Sequence, residues 1–309
     1  MTSVAALLAL VLVAAPACSK KSGDSGTGSG SGAGSGSAIV IPPYTPAADV
    51  PAPIRAAIAA SDRADADRAL DAGRKPGEVL AFYRVGPGQR IGELFAGGGY
   101  TTELMARVVG DGGTIYAQNT KEVLDRFARK PWTERAAKPV MKQVVAVEQP
   151  TDTPFPPEAK DLDLVITILN YHDFVWQKAD TKKLNAAVFA ALKPGGVYAI
   201  IDHSAAAGSG TRDCETLHRI DEETVKQEVS AAGFTLDASS DLLRNPADTR
   251  DWNSSPKAAT EAGKRGTSDR FMLRFVKPLP AGAGSASGSG SGAGSASGSA
   301  SGSGSASAQ

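Results

Sequence analysis

The chain has 309 residues, and its 33 Lys and Arg are matched by 33 Asp and Glu, so the formal net charge is zero. No basic excess points to nucleic acid, and no acidic tail is present. The two cysteines, Cys18 and Cys214, cannot build a disulfide framework.

Residues 1–17 read as an export signal. Val4 to Ala15 is an apolar run of about a dozen residues, the length of a signal core and short of the roughly 20 that a spanning helix needs. Ala15-Pro16-Ala17 before Cys18 resembles the lipobox of bacterial lipoproteins. That resemblance implies a lipid on Cys18 and an anchor at a membrane surface, with the protein facing the periplasm or exterior. A plain cleaved signal is one alternative; a misassigned start, leaving the protein cytoplasmic, is another. Residues 18–38, mostly Gly and Ser, predict a flexible tether spanning roughly 20–25 Å. Residues 279–309 predict a disordered Gly/Ser/Ala tail. Residues 39–278 are long enough to bury the core of one α/β domain.

Ile54 to Ala60, Arg63 to Ala72 and Glu78 to Val85 read as short helices, and their Asp and Arg clusters as a solvated face. Arg90 to Phe95 is a short apolar strand. Gly97-Gly98-Gly99 then turns the chain, and Thr101 to Val108 forms a helix that Gly110 stops. Thr114 to Gln118 and Val140 to Val147 are strands, separated by helices at Lys121 to Arg129 and Trp132 to Lys138. Leu162 to Leu169 is an unbroken apolar run, the mark of a parallel strand covered on both faces. A helix from Asp180 to Leu192 ends at Lys193-Pro194-Gly195-Gly196, before a strand at Val197 to Ile201. Asp221 caps a helix from Glu222 to Ala232. Phe234 to Ala238 and Phe271 to Val276 are the last strands. The segment between them is polar and proline-interrupted, so they are expected to pair antiparallel. Strands alternating with helices predict a Rossmann-like, doubly wound seven-stranded α/β sheet, mostly parallel.

A strand, a glycine loop and a helix N-terminus form a nucleotide-type cradle. Glu93 through Gly99, followed by Leu192-Lys193-Pro194-Gly195-Gly196-Val197, resembles the class I S-adenosylmethionine (SAM)-dependent methyltransferases. Within that class LFAGGGY, NYHDF, IDHS and LHRID look like a bacterial group. The resemblance implies a seven-stranded sheet with an antiparallel last strand, and SAM as cofactor. It implies that Glu93, Phe95, Ala96, Gly97, Gly98 and Gly99 surround the amino-acid end of SAM. Phe95 stands where the first glycine is usual. Asn119 falls at the ribose position, Glu148 and Gln149 near adenine, and Asn170 beside the donor.

His172, His203 and His218 all fall at the end of the sheet where such folds bind ligands. Histidine has the pKa that a base for a hydroxyl or amine acceptor needs. His172 or His203 is therefore the expected base, with Asp173 or Asp202 orienting it. Tyr171, His218, Arg212 and Arg219 are expected on the acceptor side, the arginines to bind an anionic group or else to pair with Asp213 or Asp221. The expected acceptor is a small molecule or a lipid. Two alternatives stay open: a metal-dependent enzyme using the same histidines, and a non-catalytic binding lipoprotein that keeps the fold. The second is motivated by the leader, because SAM is made in the cytoplasm.

Overall fold

The computed structural model describes residues 44–280. The expected signal, Cys18, the tether and the tail beyond residue 280 lie outside the described residues. Three short helices lead in: α1 (Ala52–Ala59), α2 (Asp65–Arg74) and α3 (Pro76–Phe82). Then come β1 (Arg90–Leu94), α4 (Tyr100–Val109) and β2 (Thr114–Asn119). Next, α5 (Lys121–Val123) leads through a π-helical turn (Leu124–Ala128) into α6 (Arg129–Ala136). The remaining elements are β3 (Val144–Glu148), β4 (Leu162–Ile168), α7 (Tyr171–Trp176), α8 (Thr181–Ala191), β5 (Leu192–His203), α9 (Glu222–Ala231), β6 (Thr235–Ser240), α10 (Pro256–Glu261) and β7 (Arg270–Val276).

The seven strands form one sheet in the order β3-β2-β1-β4-β5-β7-β6. β3, β2, β1, β4 and β5 run parallel, and β7 is antiparallel to both β5 and β6. This is a Rossmann-like fold with helices on both faces. Strand periodicity places alternate residues on opposite faces. Ile91, Ile166 and Ile201 pack with Ile54, Val79 and Leu104 on one side. Val165 and Ile200 pack with Phe174, Leu184, Val188, Val225 and Val229 on the other. Gly92 admits the Phe155 ring, since a Cβ there would come within 2.5 Å of it.

The order of the strands positions the site. From β1 the chain steps to β2 and β3 on one side, and resumes at β4 on the other. The crevice between the carboxyl ends of β1 and β4 is therefore the switch point at which such sheets bind ligands.

Three local expectations are corrected. The Asp and Arg cluster near α2 is not a solvated face: Arg63 and Asp71 are both buried and paired at 2.7 Å. Two helices expected around residue 130 meet without a break. Pro131 has no N–H to give and its ring would clash with the carbonyl of Phe127, so the ladder widens into a π turn there. The third correction is α7, which forms directly after β4, where no helix is expected. Among the described residues, no helix is long and apolar enough to cross a membrane.

Candidate active site

A cleft of about 1770 Å³, including its open mouth, lies over the carboxyl ends of β1, β4 and β5. The glycine loop, Val123, Phe127, His172, Asp173, His203 and His218 line it, with Trp176 beside His218.

The loop is held from several directions. Phe95 has φ +49°, in the left-handed region that favours glycine. The surroundings support that strain. Its N–H donates to Gln118 Oε1 at 3.1 Å, and its carbonyl accepts from Asn170 Nδ2 at 3.2 Å. Its ring stands edge-on to Phe174, with centroids 4.8 Å apart. Gly97 has φ +57°, and its N–H donates to Asn119 Oδ1 at 2.8 Å. The carbonyl of Gly98 accepts from Arg135 Nε at 2.6 Å. Arg135 pairs in turn with Asp67 at 2.7 Å and with Glu103. A Cβ on Gly97 would meet nothing nearer than the Phe95 carbonyl at 4.0 Å, so the loop presents bare backbone to the cleft.

Glu93 closes the floor. It is 5% exposed and accepts from the Thr102 hydroxyl. Burial pushes its carboxyl up to about 8, against the opposing pull of Thr102 and Arg135. Between pH about 4.5 and 8 the folded chain keeps this proton and the unfolded chain loses it, so this group makes stability fall as pH rises across that window. Glu93→Gln is expected to flatten that dependence, with a gain on the order of 4 kcal/mol at pH 8.5 relative to pH 4.5. Urea unfolding of both proteins at the two pH values checks it; parallel curves would mean the carboxyl is solvated.

The histidines converge as expected. His172, at the start of α7, is 3% exposed. Its Nδ1 lies 2.7 Å from Asp202 Oδ1, and its backbone N–H donates to Asp202 Oδ2 at 2.8 Å. Asp202, at the end of β5, is fully buried and also accepts from the His203 backbone N–H at 2.7 Å. Burial alone would lower the pKa of His172, but the Asp202 charge and hydrogen bond, with Asp173 beside it, raise it above the usual value. His203 goes the other way. Burial, with His172, Arg270, Arg219 and His218 nearby, holds it well below the usual value, and its Nδ1 lies 2.7 Å from Ser268 Oγ. Asp173 Oδ1 lies 3.3 Å from His172 Nε2 and 3.5 Å from His218 Nδ1. His218 sits at φ +50°, with its ring 5.6 Å from that of Trp176. The ligand atoms of His172, Asp173 and His218 lie within 4.8 Å of one another, so the same trio could relay a proton or hold a divalent ion.

Several expected site residues lie elsewhere. Asn119 is 2% exposed and spends its side chain on the Gly97 backbone, so it shapes the loop and does not face the cleft. Gly99 is the N-cap of α4 at φ +81°, packed against Trp132 and Arg135. Glu148 pairs with Arg129 at 3.0 Å and, with Gln149, lines a separate surface hollow. The Tyr171 hydroxyl is buried between Glu228 and Asn185, at 2.8 Å from each. Arg212 has a side chain 70% exposed and pairs with Asp213. Arg219 is fully buried, bonded to Asp248 at 2.7 Å and to the carbonyls of Ser204 and Trp252. Neither arginine reaches the cleft. Asp202 does not line it either and reaches it only through its contact with His172. Phe127 and Trp176 line the cleft although no sequence motif marks them. Phe127 is 64% exposed just ahead of Pro131, and an apolar ring in that position was the available signal.

No family model and no curated protein matches the chain. Solved structures match its fold. A SAM-dependent methyltransferase from Aquifex aeolicus is 15% identical, covering 69% of this chain and 95% of its own, with a TM-score of 0.49. Fibrillarin of Aeropyrum pernix, solved with natively bound S-adenosyl-L-methionine, is 14% identical, covering 62% and 68%, with a TM-score of 0.41. The cyclase SpnF is 14% identical, covering 67% and 82%, with a TM-score of 0.49. These likenesses concern the fold alone, and function has to be argued from the cleft.

Proposed function

We propose that the chain transfers a methyl group from SAM to an acceptor hydroxyl or amine. The observation that carries this reading is the Asp202–His172 pair, which opens on the same cleft as the glycine loop. SAM supplies an electrophilic methyl on a sulfonium, so the protein needs mainly to align two reactants and remove a proton. Phe95, Ala96, Gly97, Gly98, Glu93 and Asn170 would hold the amino-acid end. Val123, Phe127 and Trp176 offer an apolar surface for the adenine. Asp202 would accept from His172 Nδ1–H, so that Nε2, which has Asp173 3.3 Å away, takes the acceptor proton with that carboxylate beside it. His203, held neutral, faces the same space as a hydrogen-bonding group.

The test is transfer of label from radiolabelled SAM to a panel of phenols, catechols and amines, with S-adenosylhomocysteine formed in equal amount. Product formation that survives His172→Ala undiminished would overturn the assignment of the base. The clustering of His172, Asp173 and His218 also favours a metal-dependent reading. About one equivalent of divalent metal on elemental analysis of the purified chain would replace the relay with that reading. A small molecule or a lipid remains the proposed acceptor class, and a lipid on Cys18 the proposed route to the cell envelope. The latter rests on the leader sequence, and the mass of the N-terminal peptide tests it.

A further inference from the structure

The arginines expected to meet an anion are fully committed to Asp248 and Asp213, but two others are not. Arg74, at the end of α2, and Arg270, at the start of β7, line one narrow, mostly apolar cavity with Val79, Leu104, Ile168 and Leu243. Arg74 also lines the main cleft, so the cavity adjoins it. Among the described residues, the Arg74 side chain makes no ion pair or hydrogen bond; its guanidinium lies 4.4 Å from the centre of the Tyr100 ring. Arg270 is 6% exposed and reaches only two backbone carbonyls, those of Ser268 and Gly266, each at 3.3 Å.

Every carboxylate in the neighbourhood is already taken. Asp67 is held by Arg135, Asp71 by Arg63 and the Tyr100 hydroxyl, and Asp269 by Arg250 and Arg244. Two arginines lining one mostly apolar cavity, neither in an ion pair with a carboxylate, carry a desolvation cost, the larger for the buried Arg270. Burial, and then the neighbouring Arg74, pulls Arg270 down to about 10, with Asp269 opposing. Planar guanidinium forks are matched to carboxylate and phosphate oxygens.

We propose that Arg74 and Arg270 form a subsite for one oxyanion, of the carboxylate or phosphate class, carried by a substrate bound in the adjoining cleft. The subsite rests on the proposed methyl transfer only for where that oxyanion comes from. It is either the carboxylate of the donor or an acidic group of the acceptor.

The test uses the full chain and inorganic phosphate as probe, followed by thermal shift and calorimetry. Phosphate is expected to raise the melting temperature of the unaltered chain, with affinity about tenfold or more weaker in Arg270→Gln and in Arg74→Gln. Without phosphate, Arg270→Gln is expected to melt higher, because it removes an unpaired buried charge; a merely structural arginine would melt lower when replaced. S-adenosylhomocysteine and 5′-methylthioadenosine, which lacks the carboxylate, separate the sources. If the donor fills the subsite, only S-adenosylhomocysteine weakens in the variants, and phosphate competes with it. If the acceptor fills it, neither weakens and phosphate binds alongside. Phosphate binding without S-adenosylhomocysteine binding would sink the donor reading and keep the subsite. No phosphate effect, or the same effect in the unaltered chain and both variants, would overturn the subsite.

Discussion

Replacing Asp202 by Asn is expected to slow methyl transfer by about 10²–10⁴-fold while SAM affinity stays within about twofold. Asp202 is fully buried and reaches the cleft only through His172, at 2.7 Å from Nδ1. Asn retains the shape and one acceptor oxygen, but it loses the charge that makes His172 a stronger base. A second readout separates catalysis from packing. The rate in the unaltered protein should climb with pH as His172 loses its proton, with a midpoint above histidine's usual 6.5, because the folded protein raises that pKa. In Asp202→Asn the midpoint should move down. An unshifted pH profile with normal SAM binding would show that the pair does not handle the proton.

Arg219→Ala is expected to cost about 3–5 kcal/mol of stability, because it leaves Asp248 buried without its partner. Asp248 is held well enough to keep its carboxyl below the usual range, despite the opposing effect of burial, through the Asp269 backbone N–H and Arg219. The Arg219 guanidinium also lies 4.7 Å from the centre of the Trp252 ring. Arg212→Ala, by contrast, is expected to cost far less stability, since the Arg212 side chain is 70% exposed and solvent screens its pull on Asp213. Urea unfolding of the two variants side by side checks both. Equal effects would mean that Arg219 is not a structural clamp.

These two arginines show where reading from sequence stops. The glycine loop and the alternation of strands and helices are local signals, and they lead to the sheet that is observed; residues 193–196, expected as a loop ahead of Val197, are instead taken into β5, where the register shifts. The antiparallel end of the sheet follows from the lack of a long helix before β7. Ion pairing is not local. Arg219 finds Asp248 across 29 positions, and no spacing rule separates it from Arg270, which finds no carboxylate. The convergence of His172, His203 and His218 was legible because each follows or faces a strand end. The division of labour among them was not, because it depends on which ring Asp202 reaches. Asn119 stands at the end of β2, as the resemblance implies, but its amide is turned toward Gly97, a contact across 22 positions that no local pattern encodes.

Calorimetric titration of the full chain with SAM and S-adenosylhomocysteine bears most directly on the cleft. The expected result is saturable binding of both at one site per chain, lost when Gly97, with its open backbone at φ +57°, is replaced by Val. Absence of heat and of any thermal shift with either ligand, from a chain that unfolds cooperatively, would contradict a donor site in this cleft.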